Sequence, residues 1–184
     1  MQKRSWIAAL ALALPLALQA ADLNLEIREA AMVGDATSVG TLLEKGADAN
    51  AAGEYGKSAL MFAVEEGNFE AAKRLLEAGA DVNAQTDAGC TALTFAAESG
   101  YGEIVDMLLA EGAQTDPKTR TGWDALMVAA RYGYDGIVER LLNAGAYVNT
   151  SDKDGNTALM AAIEKGHLAL ALTGDTEDIA RALE

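Results

Sequence analysis

Apolar residues recur along the chain in blocks that repeat every 33 residues. Leucines stand at positions 60, 93, 126 and 159, and a glycine follows each of them seven residues later. A second apolar block, with Leu-Leu pairs at 75–76, 108–109 and 141–142, completes the unit. The apolar spacing inside each block is that of a helix with one buried face, so the pattern predicts two short amphipathic helices per unit. A fixed period of this length is typical of a stacked repeat.

Glycines and short polar residues separate the apolar blocks and predict where the helices begin. The glycines that precede the first helix of each unit are Gly56, Gly89, Gly122 and Gly155, and the residues at or beside the N-cap are Ser58, Thr91, Asp124 and Thr157. Glycine supplies a turn with positive φ, and the hydroxyl or carboxylate accepts the unpaired N–H groups of the first helical turn. We therefore interpret these residues as parts of the scaffold.

The repeated segments resemble the ankyrin repeat. The resemblance is carried by Gly-x-Thr/Ser-Ala-Leu, the mid-repeat glycine, the Leu-Leu pair and Gly-Ala-Asp-Val-Asn, which is clearest at 79–83. The family usually has Thr-Pro-Leu-His, whereas this chain has alanine in the proline position and methionine or threonine in the histidine position. The fold should tolerate this, because alanine is the better helix former. The resemblance implies an all-α ankyrin-repeat solenoid of five helix-turn-helix repeats with short hairpin loops, at about 22–52, 53–85, 86–118, 119–151 and 152–184.

The two end repeats depart from the pattern. The first lacks the opening hairpin, as a terminal capping repeat would, and its second helix is predicted to begin at an Asp35 cap. In the last repeat, the segment from Gly174 onward aligns with residues 67–77 only after an insertion of eight residues. We interpret the leucine-rich part of this insertion, residues 168–172, as an extension of that repeat's first helix with a weak point at Gly166.

Residues 1–20 have the layout of a secretory signal peptide. Lys3 and Arg4 provide a positive start, and an uncharged apolar run follows over 6–18. The alternative is a membrane anchor, but this run of about 13 residues is shorter than the ~20 that a spanning helix needs. We expect a mature ankyrin repeat domain over 21–184 that is periplasmic, or secreted if the cell has no outer membrane, with no stable membrane insertion.

Net charge narrows the classes of partner. The chain has 14 basic and 28 acidic residues, a formal net charge of −14, which becomes −16 if Lys3 and Arg4 leave with the leader. Such a charge repels nucleic acid and anionic membranes, so we expect neither as a partner. A solvated surface accounts for the acidic residues more simply than a partner does, although an acidic concave face would suit a basic protein.

The sequence offers little for catalysis. Its single histidine, His167, follows a mid-repeat glycine, where a structural role in the turn is expected, and its single cysteine, Cys90, can form no internal disulfide. No motif places a nucleophile, a base or a metal ligand beside either residue. We therefore expect no catalytic residue, no metal site and no cofactor. A redox role for Cys90, predicted to be exposed in a hairpin, is left open.

Partner binding is the function that the resemblance implies. In ankyrin repeat proteins, partners usually lie against the hairpin tips and the first helices, on the concave side. The candidate partner-binding residues at such positions are Tyr55, Arg120, Trp123, Arg131 and Tyr132. Tryptophan, tyrosine and arginine dominate the binding energy of many interfaces. We expect Trp123 and Tyr132 to be exposed, whereas Tyr101 and Tyr134 should pack in the turns between helices.

The resulting hypothesis is a non-enzymatic protein-protein interaction module. Two refinements stay open: an inhibitor or immunity protein, and a protective scaffold for a periplasmic enzyme. The alternatives are a self-assembling structural protein, suggested by the insertion at 168–172, and an enzyme, which the sequence supports least.

Overall fold

The computed structural model describes residues 22–167 of the chain, and within that range it contains nine α-helices and no strand. Helix α1 covers residues 22–33. The others are α2 (Ala36–Glu44), α3 (Ala59–Glu65), α4 (Phe69–Glu77), α5 (Ala92–Ser99), α6 (Gly102–Ala110), α7 (Ala125–Tyr132), α8 (Asp135–Asn143) and α9 (Ala158–Glu164). The predicted all-α repeat architecture is confirmed. The described residues hold four helix pairs and the first helix of a fifth, and the rest of the predicted fifth repeat, 168–184, lies outside them.

The helices stack in two layers. In one layer α3, α5, α7 and α9 pack against one another in chain order, and in the other α2 packs on α4 and α6 on α8. Within a repeat, α3 pairs with α4, α5 with α6, and α7 with α8. Each repeat therefore depends on the neighbours that precede and follow it along the stack, as in other solenoids.

The core between the two layers is built from leucine and alanine. The second helices of three successive repeats each place one fully buried leucine there, Leu75, Leu108 and Leu141. Small alanines such as Ala63, Ala96 and Ala129 are also fully buried in the first helices. Alanine allows neighbouring helices to approach closely, which explains how a chain with only 5% aromatic residues closes its core.

The predicted N-caps are confirmed. Side-chain oxygens of the four capping residues accept the backbone N–H three residues on, at 3.3 Å for Ser58, 3.2 Å for Thr91, 2.9 Å for Asp124 and 3.4 Å for Thr157. Asp35 caps α2 in the same way, through the N–H of Ser38 at 3.0 Å. Asp124 is buried, and its second carboxylate oxygen accepts a hydrogen bond from the Thr150 hydroxyl, so the buried charge is satisfied on both sides.

The weak point predicted at Gly166 is confirmed, and α9 does not continue unbroken into the predicted extension. Helix α9 ends at Glu164, Lys165 is its C-cap, and Gly166 has a φ of 80°. The backbone N–H of His167 then donates to the carbonyl oxygen of Ala162 at 2.9 Å. A glycine in the left-handed region closes a helix in this way. The remainder of the predicted extension, 168–172, lies outside the described residues.

The mid-repeat glycines of the first four repeats are each covered by the residue that follows the corresponding glycine of the next repeat. A Cβ atom on Gly67 would lie 2.7 Å from Cζ of Tyr101, and one on Gly100 would lie 2.8 Å from Cζ of Tyr134. The same positions in the neighbouring repeats pair Gly34 with Asn68 and Gly133 with His167. The predicted packing of the two tyrosines in the turns is confirmed, and His167 occupies the equivalent structural position.

We predict that Gly100→Ala destabilises the fold more than Gly112→Ala. Both glycines have left-handed backbones, with φ of 79° and 85°, so both alanines carry a strain of roughly 1–2 kcal/mol. An added Cβ at Gly112 meets no atom within 4 Å, whereas at Gly100 it collides with the Tyr134 ring. Overpacking of this kind adds about 1–3 kcal/mol. Urea unfolding measures the difference, and equal midpoints for the two variants would contradict it.

Candidate protein-binding surface

The hairpins between repeats form one continuous ladder. The backbone N–H groups of Asp87, Arg120 and Lys153 donate to carbonyl oxygens of the preceding hairpin, at 2.8, 2.8 and 3.2 Å. The acceptors are the carbonyl oxygens of Tyr55, Ala88 and Thr121. Beside this ladder lie the ends of α3, α5, α7 and α9, which also stack in order. We use the name hairpin face for the hairpin tips and the C-terminal ends of these helices. The tips are residues 54–57, 87–90, 120–123 and 153–156, and the helix ends are 65–66, 98–99, 131–132 and 164–165. The predicted binding residues belong to this surface.

Tyr55 lies alone on the hairpin face. It sits in a short 3-10 turn, its side chain is 74% exposed, and its φ of 59° is the one left-handed value among the non-glycine residues in 22–167. An aromatic residue rarely adopts this conformation, which here turns the ring toward solvent. The hairpin of the third repeat separates Tyr55 from the other four predicted residues, which all belong to the fourth repeat.

Three of the predicted residues in the fourth repeat meet in a cleft of about 210 Å³, which we call the Trp123 cleft. Its walls come from the third and fourth repeats: Glu98, Thr119, Thr121, Trp123, Val128, Arg131 and Tyr132. The guanidinium carbon of Arg131 lies 5.1 Å from the centroid of the Trp123 ring, a cation–π arrangement. Arg120 is exposed on the hairpin above and does not line the cleft.

Tyr132 is exposed as predicted, with 44% of its surface accessible, but Trp123 is not. Trp123 is half-buried, because one part of its ring packs against the apolar core and Arg131 covers its face. Its backbone N–H also donates to the Thr119 hydroxyl at 3.0 Å. The side chain is therefore held in place as one wall of the cleft, so it offers a fixed surface to a partner.

One hydrogen bond and ring stacking fix Tyr132. Its hydroxyl donates to a carboxylate oxygen of Glu98 at 3.2 Å, and its ring stacks on Tyr134 with centroids 6.0 Å apart. The negative charge of Glu98, with a smaller contribution from burial, raises the pKa of Tyr132 above its ordinary value. The phenol thus stays protonated at neutral pH and keeps donating to Glu98.

The neighbouring hairpin of the fifth repeat is also fixed. Asp152 accepts the backbone N–H groups of Asn156 and Asp154 at 2.8 and 2.9 Å. These bonds, led by the one from Asn156 and assisted by the Trp123 side chain, hold the pKa of the Asp152 carboxyl below its ordinary value. The Asp152 carboxylate therefore holds its own loop in place and interacts with Trp123 at the edge of the cleft.

Lys57 is a residue whose position the sequence could not reveal. It maps to a hairpin tip, yet its side chain is only 17% exposed and forms an ion pair with Glu65. Its ammonium nitrogen lies 4.5 Å from the ring centroid of Phe62 and 4.7 Å from that of Phe95. The two rings come from adjacent repeats, so Lys57 ties the repeats together and is not available to a partner.

Residues 22–167 contain no group of three histidine, cysteine or acidic side chains placed to hold a metal ion. None of the helices in this range is long and apolar enough to cross a membrane. Cys90 is half-buried, not exposed as predicted, because its hairpin is folded against its neighbours, with the Cys90 N–H bonded to the Thr86 hydroxyl at 3.1 Å.

Comparison of the sequence with known protein families gives a match to one family model. A family model described as "Ankyrin repeats (3 copies)" matches residues 27–119 and 103–173, which together span most of the chain. A search of curated proteins finds no match.

Proposed function

This chain belongs to the ankyrin repeat family, and from that premise we propose that it is an exported, non-enzymatic module that binds another protein on its hairpin face. Ankyrin repeats are in general protein–protein interaction modules. The observation that carries the proposal is the Trp123 cleft, where a tryptophan, an arginine and a tyrosine line one depression. Protein interfaces concentrate their binding energy in such residues, particularly where they are held rigidly.

Rigidity is the second argument for the cleft. Trp123 packs on the core and under Arg131, and Tyr132 is held by Glu98 and Tyr134. Side chains already fixed in the free protein lose little conformational entropy when a partner binds, so more of the contact energy appears as affinity. Arg120, at the rim, would add electrostatic attraction more than buried contact area.

Export to the periplasm rests on the sequence pattern of residues 1–20. A positive start and a short apolar run are the features that a secretion system recognises. In that compartment, we propose that the protein masks or protects a periplasmic enzyme, as an inhibitor, an immunity protein or a scaffold.

Capture of the partner tests the function. The protein, expressed with its leader in its native host or a close relative, should be recovered from the periplasmic fraction without residues 1–20, as shown by intact mass. Used as bait in a periplasmic extract, it should enrich a protein that the Trp123→Ala/Tyr132→Ala variant does not. The activity of that partner, alone and in complex, then separates inhibition from protection. Enrichment of no protein would contradict the proposal, and equal enrichment by both baits would place the site elsewhere.

A further inference from the structure

We infer that the bound segment of the partner carries opposite charges at its two ends, basic over the second and third repeats and acidic at the fourth. This inference rests on the proposed function and adds the chemistry and direction of the partner. It follows from the distribution of charge along the hairpin face, which changes sign between adjacent repeats.

The second and third repeats give the hairpin face a negative end. Their charged residues on this face are Glu54, Lys57, Glu65, Glu66, Asp87 and Glu98. Lys57 and Glu65 neutralise each other in an ion pair, so the other four residues leave a net charge of −4. All four are exposed and so are accessible to basic side chains of a partner.

The fourth repeat reverses the sign at equivalent positions. Thirty-three residues after Asp87 stands Arg120, and thirty-three after Glu98 stands Arg131, so each acid is replaced by a base. Both arginines are exposed, and neither takes part in any of the three ion pairs found in 22–167. This positive pair lies on a chain with a net charge of −14.

The fifth repeat does not extend this positive pair. Its charged residues on the hairpin face are Lys153, Asp154, Glu164 and Lys165, which sum to zero. The ammonium of Lys165 pairs with Glu164 at 3.1 Å. Asp152 adds one negative charge beside these residues, and its carboxylate is bonded to the N–H groups of its own loop. The fourth repeat therefore stands out as the positive end of the surface.

A partner would sense this local pattern more than the total charge. Charges are screened over about 8 Å at physiological ionic strength. Packed helices lie about 8–10 Å apart, so charges on successive repeats are screened from one another to a large extent. Complementary charges fix the orientation of a bound partner, and mismatched charges in the reverse orientation are costly. The face should thus accept a segment in one orientation.

The Trp123 cleft lies on the boundary between the two charges. Glu98 forms one wall and is already bonded to the Tyr132 hydroxyl, whereas Arg131 forms another wall and retains N–H groups for an acceptor. A carboxylate of the partner that enters the cleft would meet this guanidinium, which binds carboxylates well. The three repeats concerned span about 30 Å at the helix spacing given above, which an extended segment of roughly nine residues covers.

The first test uses random twelve-residue peptides displayed on phage and selected on the purified protein at physiological salt. We expect the enriched peptides to carry lysine and arginine in one half and aspartate and glutamate in the other. Their affinity should fall at least about tenfold in an Arg120→Glu/Arg131→Glu variant, because like charges would then meet. A matched Lys153→Glu/Lys165→Glu variant should change it far less.

Native Cys90 provides the test of direction. A thiol-reactive group on the basic end of a selected peptide should label Cys90, in the third repeat, faster than the same group on the acidic end. In a Cys90→Ser/Asn156→Cys variant, whose cysteine occupies the equivalent position two repeats further on, the preference should reverse. The rates are divided by those of the free reagent, which corrects for the different exposure of the two positions.

The outcomes separate this inference from the proposed function. The selected peptides could instead be uniformly basic, with an affinity that charge reversal at Arg120 and Arg131 leaves unchanged and Trp123→Ala/Tyr132→Ala weakens. This result would contradict the inferred charge pattern of the partner and would still support the hairpin face as the binding site. Labelling of Cys90 by either end at equal rates would do the same. If no selected peptide lost affinity in the Trp123→Ala/Tyr132→Ala variant, the result would contradict the hairpin face as the binding site. It would then contradict the inference as well.

Discussion

Leu108→Ala should lower the free energy of unfolding by about 2–5 kcal/mol. Leu108 is fully buried in α6, which packs against α5 of its own repeat and α8 of the next. Truncation would remove apolar contacts on both sides and leave a cavity that the surrounding helices fill only in part. In a stack where each repeat depends on its neighbours, the loss falls on two interfaces at once.

The matched control is Leu142→Ala in α8, because Leu142 is 37% exposed whereas Leu108 is fully buried. The same atoms are deleted, so the difference between the two variants isolates burial. Substitutions outside the core usually change stability by less than about 0.5 kcal/mol, and a half-exposed leucine should fall between this value and that of Leu108. Urea unfolding followed by circular dichroism gives both free energies, and equal losses would contradict the layered core described here.

A second measurement shows which part of the stack Leu108→Ala destabilises. Trp123 lies in the repeat that follows Leu108, so its fluorescence reports the half of the stack beyond the weakened interfaces. A linear array loses cooperativity when one interface is weakened. Fluorescence and circular dichroism should give one shared transition for the wild type and two separate midpoints for Leu108→Ala.

The helices could be predicted from the sequence because their signals are local. The 33-residue period identifies the repeats. Within one repeat, a hydroxyl or carboxylate caps the first helix, as at α3, α5, α7 and α9, and a glycine precedes that cap. The break in the last repeat has a local cause too. The leucines at 168–172 suggested a longer helix, but the left-handed Gly166 and the N–H of His167 end α9 earlier. Turn chemistry prevailed over hydrophobic content.

The binding surface was only partly predictable, because exposure depends on neighbouring repeats. The period places Lys57 at the position that Trp123 occupies two repeats later, and we expected Trp123 to be exposed. Lys57 lies between two phenylalanines, one of them from the next repeat, and Trp123 lies beneath Arg131. The change of charge sign between Glu98 and Arg131 is present in the sequence, but its meaning depends on both residues lining one cleft.

Tyr132→Ala should weaken binding of the captured partner by at least about 2 kcal/mol, or roughly thirtyfold. Truncation removes one wall of the Trp123 cleft, and it leaves the Glu98 carboxylate without its phenol donor. The affinity is measured by titration calorimetry with the purified partner. Tyr147→Ala is the control, because Tyr147 is in the same repeat and 68% exposed but does not line the cleft.

Trp123→Ala should have an effect at least as large as that of Tyr132→Ala, because tryptophan offers the larger contact area and also supports Arg131. The two losses should not add, since both residues line the same cleft and removal of either already exposes it to water. A double variant that lost the full sum of the two single effects would show that the partner contacts them independently. A partner that tolerated Tyr132→Ala and Tyr147→Ala equally well would bind elsewhere, because the two tyrosines share residue type and repeat and differ in their place on the surface.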